Sequence, residues 1–140
     1  MREWQYASTR CCVETMGSMV QARVQGALTV EDAGHLIADA RHWAAAPAAQ
    51  VVDYSECVVQ LSPEVLFAAA RKARPRDLST AFVIAPDQLA LFREYCRMHL
   101  ERGVLKVPFT DVESAVRWAA SQAQVEEYWQ RLARSRQSCP

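Results

Sequence analysis

Several signatures of established chemistry are missing from this 140-residue chain. It has no Gly-rich phosphate-binding loop, no nucleophile elbow with Ser, His and Asp in a catalytic order, and no metal-ligand motif, so nothing in its motifs points to an enzyme, a metal or a cofactor. The five cysteines, Cys11, Cys12, Cys57, Cys96 and Cys139, include no Cys-x-x-Cys pair, and no His stands at zinc-finger spacing. They read as reduced thiols that fill a core as small hydrophobes. Net charge of one sign is absent too: sixteen basic and sixteen acidic residues cancel, so no global field draws the chain to nucleic acid or to an anionic membrane. No stretch approaches the roughly 20 apolar residues of a membrane span, and the start, Met1-Arg2-Glu3-Trp4-Gln5, lacks the apolar core of a signal peptide. The expectation is a cytoplasmic protein without membrane insertion.

What is present is an apolar interior. With 51% hydrophobic and 23% charged residues the chain can pack one core, and at this size a fold buries roughly 68% of the unfolded chain's surface without disulfides or metals. Arg10 to Glu14 and Met19 to Gln25 flank Met16-Gly17-Ser18. Val20, Ala22 and Val24 alternate with Gln21, Arg23 and Gln25, which predicts a half-buried strand pair joined by a tight turn. Gly26 closes the strand, and Thr29 with Asp32 three residues on predicts a helix start. Ala33, Leu36, Ile37, Ala40 and Ala44 carry that helix toward Pro47. Val51-Val52-Asp53 is a short buried strand. Ser62-Pro63-Glu64 then opens a helix that runs to about Arg74, where Pro75 stops it. Ala81 to Ala85 is a strand, Asp87 to Arg102 a helix ended by Gly103, and Val104 to Val107 the last strand. Thr110-Asp111-Val112-Glu113 reads as a capping box for a final helix with Val112, Ala115, Val116 and Ala119 turned inward. The order β-β-α-β-α-β-α-β-α predicts an α/β fold, a mixed sheet covered by helices, since each helix gives the crossover that parallel neighbours require.

The strand Val20 to Gln25 leading to Gly26-Ala27-Leu28-Thr29, then Val51-Val52-Asp53-Tyr54-Ser55, then Ser62 opening a helix, resembles the STAS domains, the fold of the sporulation anti-sigma-factor antagonist. The ending Pro108-Phe109-Thr110-Asp111-Val112-Glu113-Ser114-Ala115-Val116-Arg117-Trp118 is similar to that of the SpoIIAA-like bacterial branch. The resemblance implies a single domain over residues 1–120, with 121–140 as a C-terminal helical extension and tail. It also implies a non-catalytic regulatory module that docks a protein partner, through a surface including Asp53, Tyr54, Ser55 and Ser62. In that family a Ser at a helix N-terminus, inside an acid-Ser-Ser-Gly run, is phosphorylated by a partner kinase. Here Leu61-Ser62-Pro63-Glu64 keeps only the first Ser. Glu64 repels a phosphate and Pro63 removes one N–H that would cradle it, so Ser62 is expected to act as a cap.

The alternative function is binding of a small apolar molecule or lipid, because the branch is similar in topology to lipid-carrying domains. Leu91, Phe92, Tyr95 and Met98 are its candidate pocket, although helical spacing alone also places such residues in a core. His35, Asp39 and His42 share a helix face, but seven residues rise about 10 Å, too far for both rings to meet one ion. Arg71, Lys72, Arg74 and Arg76 crowd the end of the second helix, where basic side chains oppose the negative end of the dipole and are also able to bind an anionic partner. Finally, Trp118, Val125, Trp129 and Leu132 recur at spacings of seven, four and three, an apolar seam that must be covered. Folding back on the domain is one outcome, and a two-fold homodimer through the C-terminal helix is the expected one.

Overall fold

In the computed structural model, which describes residues 1–74 and 76–137, the hairpin read from the sequence is the centre of a three-stranded meander. β2 (Thr9–Met16) and β3 (Met19–Leu28) pair antiparallel from Thr9↔Gly26 to Met16↔Met19. Their two-residue turn needs Gly17, at φ +61°, because the turns that match strand twist place a residue in the left-handed region. Cys11, Val13, Val20, Ala22 and Val24 point into the core, while Arg10, Glu14, Gln21, Arg23 and Gln25 form a polar row on the other face.

The sequence reading missed β1 (Arg2–Gln5), which pairs with β2 at the sheet edge. Apart from Trp4 its residues are polar, and four residues with one apolar side chain carry no alternation, so it has no strand signature. It is held by the ladder, by the Glu3 to Arg10 ion pair and by Arg2, which donates to His42 O and stacks 4.6 Å over Trp4. The order is therefore corrected to β-β-β-α-β-α-β-α-β-α.

From β3 onward the strands run parallel: β4 (Ala49–Val59), β5 (Thr80–Val83) and β6 (Lys106–Phe109), in the sheet order β1-β2-β3-β4-β5-β6. Crossovers of one hand between sequential neighbours place α1 (Val30–Asp39), α2 (Pro63–Ala73) and α3 (Leu89–Leu100) on the same face. α4 (Val112–Gln137) covers the opposite face of β4 to β6. Period-two alternation divides the core accordingly. Val52, Tyr54, Phe82 and Ile84 meet the first three helices, whereas Ala49, Val51, Ala81 and Val83 meet an alanine stripe of Ala115, Ala119 and Ala123 on α4. The expected burial of Val51, Val52, Phe82, Val83 and Ile84 is observed.

Several boundaries differ from the sequence reading, each for a local reason. β4 extends well past Asp53: β5 pairing ends at Asp53↔Val83, and the strand continues with β3 alone through a bulge between the Arg23↔Asp53 and Gln25↔Glu56 pairs. The bulge resets the alternation, so Tyr54 and then Cys57 and Val59 all face the core, and a polar run that looked like a strand end stays in the sheet. α1 stops at Asp39 and tightens into a 3-10 turn, Ala40–His42, that delivers Trp43 to the core rather than continuing to Pro47. α2 ends where Arg74 adopts φ 51°; Pro75, the expected stop, lies outside the described residues, as does Cys139. A 3-10 turn at Pro86–Gln88 precedes α3, and β6 starts two residues later than expected, leaving Leu105 exposed. The capping box is displaced by one residue: Asp111, not Thr110, caps α4, its Oδ2 accepting from Ser114 N at 2.8 Å, and Val112 is exposed.

Asp32 shows how the meander is tied to the helices. Thr29 caps α1 as expected, accepting from Asp32 N at 3.2 Å. The Asp32 carboxylate does not turn back to the cap. It is buried and accepts from Ser8 N at 2.8 Å and from Thr9 Oγ1 at 2.9 Å, joining α1 to the start of β2.

Candidate functional site

The pairing of β4, β5 and β6 ends together at Asp53, Val83 and Phe109, the edge of the sheet where α/β folds place their binding crevices. The residues expected to form a docking surface there divide into two groups. Asp53, only 6% exposed, lies in the middle of β4 rather than at its end, and its Oδ1 accepts from Ser55 N at 2.8 Å, holding the bulge. Tyr54, 5% exposed, belongs to the core. Its ring lies 5.9 Å from Phe82 and 5.4 Å from Phe92, and burial holds its phenol well above the usual range. Ser55 and Ser62 are exposed. An exposed contact through Tyr54 is therefore corrected, because the bulge turns its side chain inward.

Ser62 is the N-cap of α2, its Oγ accepting from Val65 N at 3.2 Å with Pro63 at the first helical position. One turn further on, α2 and the start of α1 form a groove of about 570 Å³. Val30 and Val65 stand exposed at its rim, Val65 at 42%. Gly34, Ala68 and Ala69 make a shallow floor, and Glu31 and Lys72 place opposite charges along it. The sequence signal for this groove was weak. Small residues on facing helices mark a close approach only once the two helices are known to be neighbours.

The four residues proposed as an apolar pocket do not enclose one. Phe92 and Tyr95 are buried in the aromatic cluster, with rings 6.0 Å apart and 5.4 and 5.8 Å from Phe82; Leu91 and Met98 are half-buried. The nearest cavity, beside Tyr95, Trp43 and Lys106, holds about 30 Å³, the room of a single water. Aromatic packing fills the space that an apolar ligand would need.

Among the described residues no group of three or more His, Cys, Asp or Glu is placed to hold a metal ion, and His35 and His42 stay exposed on the surface. Burial pushes the thiols of Cys11 and Cys96 up to about 12 and that of Cys57 to about 11, so all three are protonated near neutrality and packed as small hydrophobes. Among the described residues no helix is long and apolar enough to cross a membrane.

No family model matches the chain, and no curated protein matches it. Among solved structures, the crystal structure of an anti-sigma factor antagonist from Mycobacterium paratuberculosis is similar to it, at 15% sequence identity over 81% of this chain and 95% of that one, with a TM-score of 0.49.

Proposed function

We propose that the protein is a non-catalytic interaction module that receives an amphipathic helix of a protein partner in the groove between α1 and α2, with Ser62 at its mouth and Ser55 as a further exposed contact at the same end of the sheet. The observation that carries this reading is the groove itself. Val30 and Val65 are exposed beside a floor of Gly and Ala, which is the shape and chemistry that accept the apolar face of a helix. Glu31 and Lys72 supply charges that orient it. The reading agrees with the regulatory, partner-docking role implied by the STAS resemblance of the sequence. The free thiols of Cys11, Cys12, Cys57 and Cys96 suit the reducing cytoplasm. A photo-crosslinking residue at position 65 in the native host is expected to capture one protein, and the capture is expected to fail when Val30→Asp is added. The same product from a probe at Thr15, on the distant hairpin, would sink the groove assignment.

A second copy of the chain is the other partner, at the far end of α4. This helix crosses residue 120 without a break, and among the described residues its last buried one is Ala123. Beyond it Val125, Tyr128, Trp129 and Leu132 lie at i, i+3, i+4 and i+7 on one exposed stripe, with Trp129 60% exposed. The segment does not fold back on its own domain. An apolar stripe rich in aromatics is the composition of an interface core, and two-fold pairing of identical helices covers it with the fewest new elements.

A further inference from the structure

At the opposite end of the sheet from the groove's mouth, the C-terminal ends of α2 and α3 converge on a cavity of about 280 Å³. Arg71, Arg74 and Arg102 line it, against a single carboxylate, Asp77. Among the described residues none of the three guanidinium groups makes an ion pair or a side-chain hydrogen bond. Two are instead poised on an aromatic wall: the Arg71 and Arg102 guanidiniums lie 6.0 and 5.8 Å over the Phe67 ring. His99 completes the lining. Its imidazole packs edge-on against Phe67 and Tyr95, at 4.8 and 4.6 Å, it is 6% exposed, and its Nε2 has no hydrogen-bond partner.

Opposing the helix dipoles accounts for basic residues at two helix ends. It does not account for three arginines, none of them in an ion pair, lining one cavity, with two guanidiniums gathered over the same Phe67 ring. A bound anion accounts for this convergence of positive charge. Three forked donors exceed what one carboxylate accepts and match a tetrahedral dianion, for which guanidinium geometry is suited. The volume lies at the lower limit of small-molecule sites, so the anion carries a compact organic body.

We propose that this cavity binds the phosphate of a small phosphomonoester, held by Arg71, Arg74 and Arg102, with the His99 ring in its wall. The site is distinct from the α1–α2 groove, and its test does not depend on the groove. Thermal unfolding and isothermal titration with inorganic phosphate and with glycerol phosphate, against sodium chloride at equal ionic strength, are expected to show a phosphate-specific rise in Tm and saturable binding. The His99 ring resonances should move on titration. Arg71→Gln with Arg102→Gln is expected to weaken binding at least about tenfold, because charge-assisted bonds are lost. Both side chains are exposed, so folding survives, and melting in chloride checks it. Arg102→Lys, which keeps the charge and loses the fork, should weaken binding less, and the remote Arg117→Gln should leave it unchanged. Equal melting in phosphate and chloride overturns the proposal, as does binding that survives in the double variant. Binding to phosphatidic acid vesicles but not to glycerol phosphate also overturns it, moving the ligand from a metabolite to a lipid headgroup.

Discussion

Replacing His99 by Phe tests the electrostatics of the α2–α3 end of the fold. Burial, followed by the positive charges of Lys106, Arg102 and Arg71, pushes the imidazole's pKa from 6.5 down to about 3. Asp77 is the one acid lining the same cavity. Above pH 6.5 the ring is neutral both in the native and in the unfolded chain and contributes no pH dependence. Between 6.5 and 3 the unfolded chain binds a proton that the native chain refuses, so stability falls as the pH falls. At about 1.4 kcal/mol per pH unit the loss reaches roughly 2 kcal/mol at pH 5 and roughly 4 kcal/mol at pH 3, where the native ring begins to take up its own proton. Phe keeps the ring contacts with Phe67 and Tyr95, removes no hydrogen bond because Nε2 makes none, and finds room for its extra volume at the cavity wall. Urea titrations of both proteins from pH 7.5 to pH 4.5 are the assay. Near neutrality His99→Phe is expected to match the parent within about 1 kcal/mol, and at pH 5 to exceed it by about 2. The carboxylates titrate in both proteins and cancel in the difference. Parallel stability profiles across the whole range would refute the reasoning, because they would mean that the native ring takes up its proton as freely as the unfolded one.

Gly26→Ala is expected to destabilise by more than about 2 kcal/mol, since φ is +104° and a Cβ there would stand 2.4 Å from the backbone oxygen of Ser8; chemical denaturation that leaves stability unchanged contradicts the packing of β3 against the start of β2. Ser62→Ala should cost about 1 kcal/mol by loss of the α2 cap, and intact-mass analysis of protein from the native host should find Ser62 unmodified; substantial phosphate there would overturn its reading as a cap. Trp129→Glu is expected to convert a dimer at micromolar concentration to a folded monomer in light scattering and circular dichroism, and a monomeric parent protein removes the self-association reading.

Local chemistry makes much of the framework legible along the chain itself. Ser62-Pro63-Glu64 announces a helix start because a hydroxyl, a ring with fixed φ and an acid each suit one of the first helical positions, and α2 begins at Pro63. The alternation of Val20, Ala22 and Val24 announces a one-sided strand because a strand repeats every two residues, and that face is buried. What stayed illegible depends on neighbours that only the fold supplies. β1 exists because an open edge of β2 offers hydrogen bonds to a chain with no strand pattern of its own. Tyr54 is core because a bulge, set by how β3 pairs, changes which way it faces. The same holds for the sites. The excess of basic residues at the end of α2 is visible in the sequence, but His99 and Arg102 lie on and just after another helix, nearly 30 positions away, and a cavity forms only where the two helix ends are brought side by side. Charge and capping act within a few residues along the chain, whereas burial, shape and the loss of a hydrogen-bond partner are properties of the space between elements, and that space is decided by the packing of the sheet and its helices.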